Sequence, residues 1–540
     1  MQQGYSETWI AESSSGIIAA GASGSVEAGL ELLGQAGNAV DAAAATILAL
    51  NVTDHFDCSV GGEVPMLIYD AGKREVKALS GQGRAPGSQK AVDWYMMHGI
   101  PEDGDIKTAP VPSVIDSCIT ALIHYGTKSF AEIAAPTLSL LDSGTEDWHP
   151  NLAITLRKLI DTEKTTMGSR EVKLQATSDH FYGRRGAQKD IVNSLESFYI
   201  SKGGFLRSQD LAAHVSLLED PIIVDYRGYS VCKCGPWTQG PFLCQALRLL
   251  EGFDLKAMGH ASADYVHVLV EAIKLAMADR DEYYGDPDFV DVPINELLSD
   301  AYTEIRRPLV DMKKASLEAR PGDPRGMKPL LSSGVFRPAA GGTTTCLVAD
   351  RWGNVVSATP SANVFHGTVD GGEAGVTFGN RLRSLNTTPG HPNCIEPGKR
   401  PRITLTPTIV LKNGAPILGI SVAGGDLQDQ VTLNLILDYV EFGMAPGGAV
   451  TAPRFATQHH QDSFDPNPRR EEAYIRSGSL MADKGLYESV KLELSRRGHS
   501  VVLQQSPIGR PVMIHIDQAT GIVHGAGDPA AGRHVGALSR

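Results

Sequence analysis

Hydrophobic positions in the first fifty residues change from the spacing of a strand to that of helices. The short apolar segment 16–20 predicts a buried strand, and the segment from about 25 to 35 has helical spacing. Gly37 and Asn38 then break the pattern. An alanine-rich helix is predicted over 39–52, so the chain opens with a strand followed by two helices.

The pattern changes twice more along the chain. It is mostly helical from about 113 to 310, with glycine-containing breaks between segments. From 323 to 342, prolines, glycines and serines leave no periodic apolar face. This composition predicts a flexible linker, or a strap that leaves the globular part of the protein.

Two β-hairpins are predicted after this segment. Their strands and turns are 344–349 and 354–359 around 350–353, and 408–411 and 417–421 around 412–414. Helical patterns resume near 427–442 and 483–497. Because hairpins and helices occur in separate runs, we predict a layered α+β fold rather than a doubly wound parallel sheet.

Composition narrows the class of protein. The chain has 540 residues, of which 42% are hydrophobic and 21% charged, which is typical of a soluble globular protein with a large core. Its formal net charge of -13 would on average repel nucleic acid or an anionic membrane surface, so neither is expected as a partner. The polar segment 1–15 lacks the pattern of a secretory signal, and the apolar stretch 39–52 is too short to span a bilayer. We therefore expect a cytoplasmic protein.

Several familiar sites are disfavoured. The seven cysteines are odd in number and scattered, which favours reduced thiols, and Cys232 and Cys234 are expected on one face of a strand rather than at a metal. The pair His459 and His460 is interpreted as a surface turn. The glycines of 81–87 have the wrong spacing for a dinucleotide loop, and no serine-hydrolase, nucleotide-triphosphate or zinc-protease motif occurs. We expect no metal and no organic cofactor.

Candidate chemistry lies where the linker meets the first hairpin. Gly341 and Gly342 precede three threonines that lead directly into a predicted strand. By residue type alone, these threonines indicate only a preference for β structure.

A longer set of motifs changes that interpretation. The chain resembles the gamma-glutamyltranspeptidase family from about Gly16 onward, in five blocks: AGNAVDAA at 36–43, LEGFDLKAMGH at 250–260, ADRDEYYGDPDFVDVP at 278–293, PGKRP at 397–401 and GAGDPAAG at 525–532. In that family the chain cleaves itself before a threonine. This threonine is followed by a strand, a D-x-x-G-N-like turn and a second strand. The matching threonine here is Thr343.

The chemistry explains why this threonine has to become N-terminal. A threonine hydroxyl is a weak nucleophile, but a free α-amino group has a pKa of about 7.7 to 8.0 and can take its proton. The same nitrogen cannot act as a base while it is an amide. By the family pattern, Ser361 contacts the nucleophile, Asn363 contacts substrate, and the backbone of Gly424 and Gly425 holds the oxyanion. Thr359, Ser361 and Asn363 are expected on one face of a strand.

Two substrate positions depart from the pattern of the glutathione-using members. Gln82 stands where an arginine holds the α-carboxylate, and Ser384 stands where an acidic residue holds the α-amino group. A usual pair of serines is also changed, and only Thr404 keeps a hydroxyl. Without both charged contacts, glutathione is not the expected substrate. Arg84, Arg381 and Arg383 could instead suit a carboxylate without an α-ammonium group, or could be solvated surface charges. With these changes the chain resembles the divergent amidase and acylase members of the family, such as oxamate amidohydrolase and the cephalosporin acylases, more than the glutathione-degrading members.

The resemblance implies an N-terminal-nucleophile αββα sandwich of two antiparallel sheets. Cleavage would give a large subunit, 1–342, and a small subunit, 343–540, that remain intertwined, with a dimer of such heterodimers left open. The expected partners are a small-molecule amide and a water or amine acceptor. Two alternatives stay open: a genuine gamma-glutamyl hydrolase with a rebuilt amino-acid site, and a binding protein that never matures.

Overall fold

The fold is built from two antiparallel sheets with helices on their outer faces. The computed structural model describes residues 8–102, 104–144, 151–331, 343–362 and 371–539. In chain order the strands are β1 (Ile10–Ser13), β2 (Gly16–Ala20), β3 (Met66–Asp70), β4 (Glu75–Leu79), β5 (Leu218–Glu219), β6 (Ile222–Tyr226), β7 (Tyr229–Lys233), β8 (Cys346–Asp350), β9 (Val355–Ala358), β10 (Thr408–Lys412), β11 (Ala415–Ala423), β12 (Phe455–Ala456), β13 (Ser479–Ala482), β14 (Ser500–Leu503), β15 (Arg510–Ile516), β16 (Val523–Gly527) and β17 (His534–Ala537).

The described chain also contains seventeen α-helices. They are α1 (Ser23–Gly34), α2 (Ala39–Thr53), α3 (Gln89–His98), α4 (Val114–Tyr125), α5 (Phe130–Asp142), α6 (Leu152–Thr165), α7 (Arg170–Tyr182), α8 (Asp190–Ser201), α9 (Ser208–Ala212), α10 (Gly240–Leu250), α11 (Leu255–Met258), α12 (Ala263–Tyr283), α13 (Ile294–Leu297), α14 (Asp300–Arg306), α15 (Gln428–Val440), α16 (Pro446–Thr451) and α17 (Lys484–Arg496).

Both large sheets contain seven strands. The first has the order β17-β2-β8-β9-β3-β4-β5 and the second the order β1-β16-β15-β11-β10-β7-β6, and neighbouring strands in each are antiparallel. A small third sheet, β12-β13-β14, lies near α17 and contains one parallel pair. The predicted layered α+β class is confirmed.

Three hydrophobic layers hold these elements together. Side chains such as Ile17 and Leu347 of the first sheet pack against Val512 and Ile514 of the second, which forms the layer between the sheets. A second cluster joins the other face of the first sheet to α1, α2 and α4 to α8, and a third joins the second sheet to α10, α12 and α15. The arrangement is therefore helix, sheet, sheet, helix, as the αββα prediction requires.

The start of α2 shows how the local sequence sets an element. The Asn38 side chain accepts hydrogen bonds from the backbone N–H groups of Val40 and Asp41, and the Asp41 carboxylate accepts from the Asn38 N–H. This capping box satisfies N–H groups that a helix otherwise leaves unpaired. The alanines that follow are buried and let α2 pack against α1, α5 and β8. The predicted break at Asn38 is thus the beginning of a helix.

The strand segments from either side of residues 332–342 are interleaved. In the first sheet β8 and β9 lie between β2 and β3, and in the second β10 lies beside β7. Each large sheet therefore needs chain from both sides of that segment. Residues 323–331, the described part of the predicted linker, contact the globular part through Arg306, which donates to the Pro329 carbonyl at 2.7 Å.

Two local expectations are corrected. The predicted strand 354–359 ends at Ala358, and beyond it the pairing with the β3 side continues as a bridge between Ser361 and Glu63. His459 and His460 are each only 1% exposed, so the predicted surface turn is wrong. His459 lies against the Tyr474 ring and the Glu318 carbonyl, and His460 lies 4.0 Å from Asp426. A dipeptide carries no information about such distant packing. Cys232 and Cys234 lie in the layer between the sheets, and the seven cysteines are unpaired thiols, as expected.

A buried ion pair joins the second sheet to α15. Lys233 at the end of β7 donates to Asp429 at 2.6 Å and also to the Thr406 carbonyl and the Thr408 hydroxyl. Both charged side chains are fully buried. Burial raises the pKa of Asp429 to about 6, although Lys233 opposes that shift. The pair therefore depends on its complete set of contacts.

We predict that Lys233→Ala lowers the free energy of unfolding by about 3–5 kcal/mol, because it leaves the Asp429 carboxylate buried without a cation. Lys77→Ala is the matched control, since Lys77 pairs with Asp220 at the exposed surface. That change should cost much less, because solvent screens an exposed ion pair. Denaturant unfolding of the two variants checks the difference, and equal losses would contradict the argument.

Candidate active site

Thr343 lies at the point where the chain enters the centre of the first sheet. It precedes β8 by three residues, and Thr343, Thr344 and Thr345 are fully buried. The Thr343 hydroxyl oxygen is 3.3 Å from the hydroxyl oxygen of Ser361. Of the residues singled out from the sequence, these two are therefore placed within hydrogen-bond distance.

The residue after Thr343 is held by charged groups. The Thr344 hydroxyl donates to the carboxylate of Asp54, which follows the last residue of α2. Arg533 contacts both groups at 3.1 Å, and the Thr344 N–H donates to the Pro360 carbonyl at 3.1 Å. These contacts fix the backbone on the C-terminal side of Thr343.

Ser361 belongs to a buried group that includes a carboxylate and a guanidinium. Ser361 and Glu63 exchange backbone hydrogen bonds of 2.9 and 2.8 Å. Arg381 Nη2 donates to the Ser361 hydroxyl oxygen at 2.9 Å, and its Nε donates to Glu63 Oε1 at 2.6 Å. Burial raises the pKa of Glu63, and the charge of Arg381 opposes that shift. Arg381 is only 1% exposed, so it is not a solvated surface charge.

Glu63 was not singled out from the sequence. A usable signal was present, because it is a lone charged residue in the otherwise apolar and glycine-rich segment 58–68. Charged side chains in such a context are buried only with a partner. The sequence does not show which of the distant arginines supplies it.

Gly424 and Gly425 form the turn between β11 and α15. Their φ angles are +139° and +59°, a region that side chains with a Cβ seldom adopt. A 3-10 turn at Gly425–Leu427 leads into α15, so the pair lies beside a helix N-terminus. Backbone N–H groups in that position can stabilise an oxyanion.

Phe464 connects the glycine turn to the buried charged group. A Cβ built on Gly425 would lie 3.2 Å from the Phe464 ring, and the guanidinium of Arg381 lies 5.2 Å from the ring centroid. A continuous set of contacts therefore runs from Thr343 through Ser361, Arg381 and Phe464 to Gly425. The predicted nucleophile and the predicted oxyanion turn are in one region of the molecule.

The predicted substrate residues differ in their surroundings. Gln82 and Ser384 are buried, and Gln82 Nε2 donates to the Pro401 carbonyl. Among the described residues, Gln82 Oε1 and the hydroxyls of Ser384 and Thr404 have no hydrogen-bond partner. Arg84 is 27% exposed and pairs with Asp288 at 3.0 Å. Asn363 lies outside the residues that the structure describes.

A cavity of about 300 Å³ adjoins the glycine turn. Its lining includes Gly424, Gly425, His460, Asp462 and Arg510. Burial and the nearby Asp426 carboxylate raise the pKa of Asp462 to about 7, and burial lowers the pKa of His460. The cavity therefore offers space beside the predicted oxyanion position, with a carboxyl group able to gain or lose a proton near neutral pH.

Two features are absent from the described chain. No three His, Cys, Asp or Glu side chains within it are grouped so that they could hold a metal ion. Its helices also include none with the length and apolar character needed to cross a membrane.

Comparison with known proteins gives relatives of two kinds. The chain is 29% identical to the glutathione hydrolase proenzyme of Bacillus subtilis strain 168, over 93% of this chain and 88% of the relative. It is 28% identical to the Acylase ACY 1 proenzyme of Pseudomonas sp. strain SE83, over 88% of this chain and 85% of the relative.

Solved structures share the whole fold. The structure of LmbA2991HD is 32% identical, with a TM-score of 0.87 over 99% of this chain and 100% of that chain. The cephalosporin acylase from Bacillus halodurans is 25% identical, with a TM-score of 0.82 over 100% of this chain and 99% of that chain. The predicted N-terminal-nucleophile fold is thereby confirmed.

The family model described as gamma-glutamyltranspeptidase matches residues 25–182 and 147–538, which together span most of the chain. This match agrees with the sequence motifs, the two-sheet architecture and the relatives of both kinds. The chain therefore belongs to the gamma-glutamyltranspeptidase family of hydrolases and acyltransferases.

Proposed function

We propose that this protein is a self-cleaving amide hydrolase or acyltransferase whose nucleophile is Thr343. The observation that carries the proposal is the 3.3 Å contact between the hydroxyls of Thr343 and Ser361, at the entrance to β8. The names of the relatives support self-cleavage, since both the glutathione hydrolase and the acylase are described as proenzymes.

Cleavage before Thr343 would create the general base. The freed α-amino group takes the proton of the Thr343 hydroxyl as its oxygen attacks the amide carbonyl. The carbonyl oxygen becomes an oxyanion beside the backbone of Gly424 and Gly425. When the intermediate collapses, the C–N bond breaks, the α-ammonium returns its proton to the leaving amine, and an ester on Thr343 remains. Water or an amine then attacks this ester by the same sequence of steps.

For the substrate, we propose a small amide that bears a carboxylate and has no α-ammonium group. Ser384 and Gln82 are neutral, and both are buried where the family pattern has charged residues. Neither side chain carries the charge that would form an ion pair with the matching end of an amino-acid zwitterion. Relatives named as acylases favour this proposal, whereas those named glutathione hydrolase favour gamma-glutamyl substrates as the alternative.

The first prediction concerns the position of the cut. Purified protein should convert to two fragments, and Edman sequencing of the smaller one should begin Thr-Thr-Thr-Cys-Leu. Because both large sheets contain strands from each fragment, the fragments should coelute in gel filtration and separate only in denaturant. A different N-terminus would show that another residue is the nucleophile. A single uncut band after long incubation would favour a binding protein that never matures.

The second prediction concerns Thr343 itself. Thr343→Ala should abolish both cleavage and turnover, while Thr343→Ser should keep part of each because a hydroxyl remains. Thr345→Ala is the matched control, since Thr345 is equally buried and has no proposed chemical role. Gel analysis over time and initial rates measure the two activities. A cleaved, active Thr343→Ala protein would show that another group is the nucleophile.

The third prediction concerns specificity. Each missing charged hydrogen bond should cost about 1.5–3 kcal/mol of binding, so the two together should weaken zwitterion binding roughly a hundredfold or more. We expect kcat/KM for glutathione to be lower than for simple carboxylate-bearing amides. The double change Gln82→Arg with Ser384→Asp should improve gamma-glutamyl turnover. A wild-type preference for glutathione would contradict the argument and support the alternative substrate.

A further inference from the structure

The contact between Thr343 and Ser361 joins two hydroxyls, and a hydroxyl can donate or accept a hydrogen bond. The two directions have opposite effects on a nucleophile. If Ser361 donates, it stabilises the negative charge that develops on the Thr343 oxygen. If Ser361 accepts, it competes for the proton that has to leave that oxygen. Some third group has to favour one direction.

Arg381 is placed to favour one direction. A guanidinium has only donors, and Arg381 Nη2 donates to the Ser361 hydroxyl oxygen at 2.9 Å. The hydrogen of that hydroxyl is repelled by the positive guanidinium and turns to the other side of the oxygen. The Thr343 oxygen is an acceptor within 3.3 Å.

Arg381 contacts two side chains besides Ser361. Its Nε donates to Glu63 Oε1 at 2.6 Å, and its guanidinium lies 5.2 Å from the centre of the Phe464 ring. Glu63 is in turn fixed to Ser361 by their two backbone hydrogen bonds. All of these side chains are buried, so water does not weaken the contacts. A lysine could not make the two side-chain contacts with the same fixed geometry.

We infer that Arg381, held by Glu63, is a positioning residue that orients the Ser361 hydroxyl to donate to the Thr343 oxygen. The inference rests on the proposed role of Thr343. The Thr343 proton still passes to its α-amino group, Ser361 keeps its own proton, and neither Arg381 nor Glu63 exchanges one. Arg381 therefore acts through Ser361 and need not touch the substrate.

A double-mutant cycle tests this dependence. Arg381→Gln and Ser361→Ala should each lower kcat about 10- to 100-fold, with KM changed less than about twofold, because the interaction stabilises charge that develops during attack. If Arg381 acts through Ser361, the double variant should be no slower than Ser361→Ala alone. The same non-additivity should appear in the rate of self-cleavage, which remains measurable when a variant matures slowly.

Two further variants guard against simple misfolding. Arg381→Lys should give a kcat between those of the wild type and Arg381→Gln, since the cation remains without its fixed geometry. Arg306→Gln is the control for loss of a buried guanidinium, because Arg306 pairs with Asp279 of α12 rather than with Glu63 or Ser361, and it should affect stability but not kcat. Denaturant midpoints of all variants separate stability from rate.

Three results would overturn the inference. These are additive losses in the cycle, a raised KM with unchanged kcat in Arg381→Gln, and wild-type kinetics in that variant. The second result would make Arg381 a substrate-binding residue instead. Failure of the proposed function is distinguishable, because it appears as activity or cleavage in Thr343→Ala whatever the Arg381 variants do.

Discussion

Both large sheets depend on strands from each side of residues 332–342, and this constraint shapes the rest of the molecule. In the first sheet β8 and β9 are enclosed by β2 and β3, so neither part of the chain forms a complete sheet alone. A chain break between the parts would therefore remove no strand pairing. The backbone can be opened beside β8 while the hydrophobic layer between the sheets stays intact.

The same topology places polar and charged groups in the protein interior, where they destabilise the fold unless they have partners. Thr344, Asp54 and Arg533 form one group of contacts at the entrance to β8, and Ser361, Glu63 and Arg381 form a second. Each carboxylate has an arginine partner, as charges removed from water require. Such pairs also hold neighbouring hydroxyls in fixed orientations. Stability and the geometry around Thr343 are therefore set by the same contacts.

The local pattern of the sequence predicted much of the fold but less of the candidate site. Hairpin turns and helix breaks are encoded over a few residues, so the two hairpins were predicted with small errors at their ends, whereas the two paired sheets were expected only from the family resemblance. The family resemblance links motifs that are distant in the sequence, and for this reason the residues expected around Thr343 were assigned to one region. Glu63 and Arg381 are 318 positions apart, and nothing local links a lone acid to one arginine among many. The His459 and His460 prediction failed for the same reason, since distant elements bury that pair.

Arg533 links the surroundings of Thr343 to the order in which the chain is synthesised. It contacts Asp54 across 479 positions of sequence and Thr344 across 189, and it directly precedes β17, which pairs with β2. One of the groups that hold the backbone next to Thr343 therefore lies in a part of the chain that is synthesised long after Thr343 itself. Contacts of such long range form late and slowly in folding. A nascent chain that ends before Arg533 lacks one of the two charged groups that contact the Thr344 hydroxyl, so the complete surroundings of Thr343 exist only once that part of the chain has been made and docked.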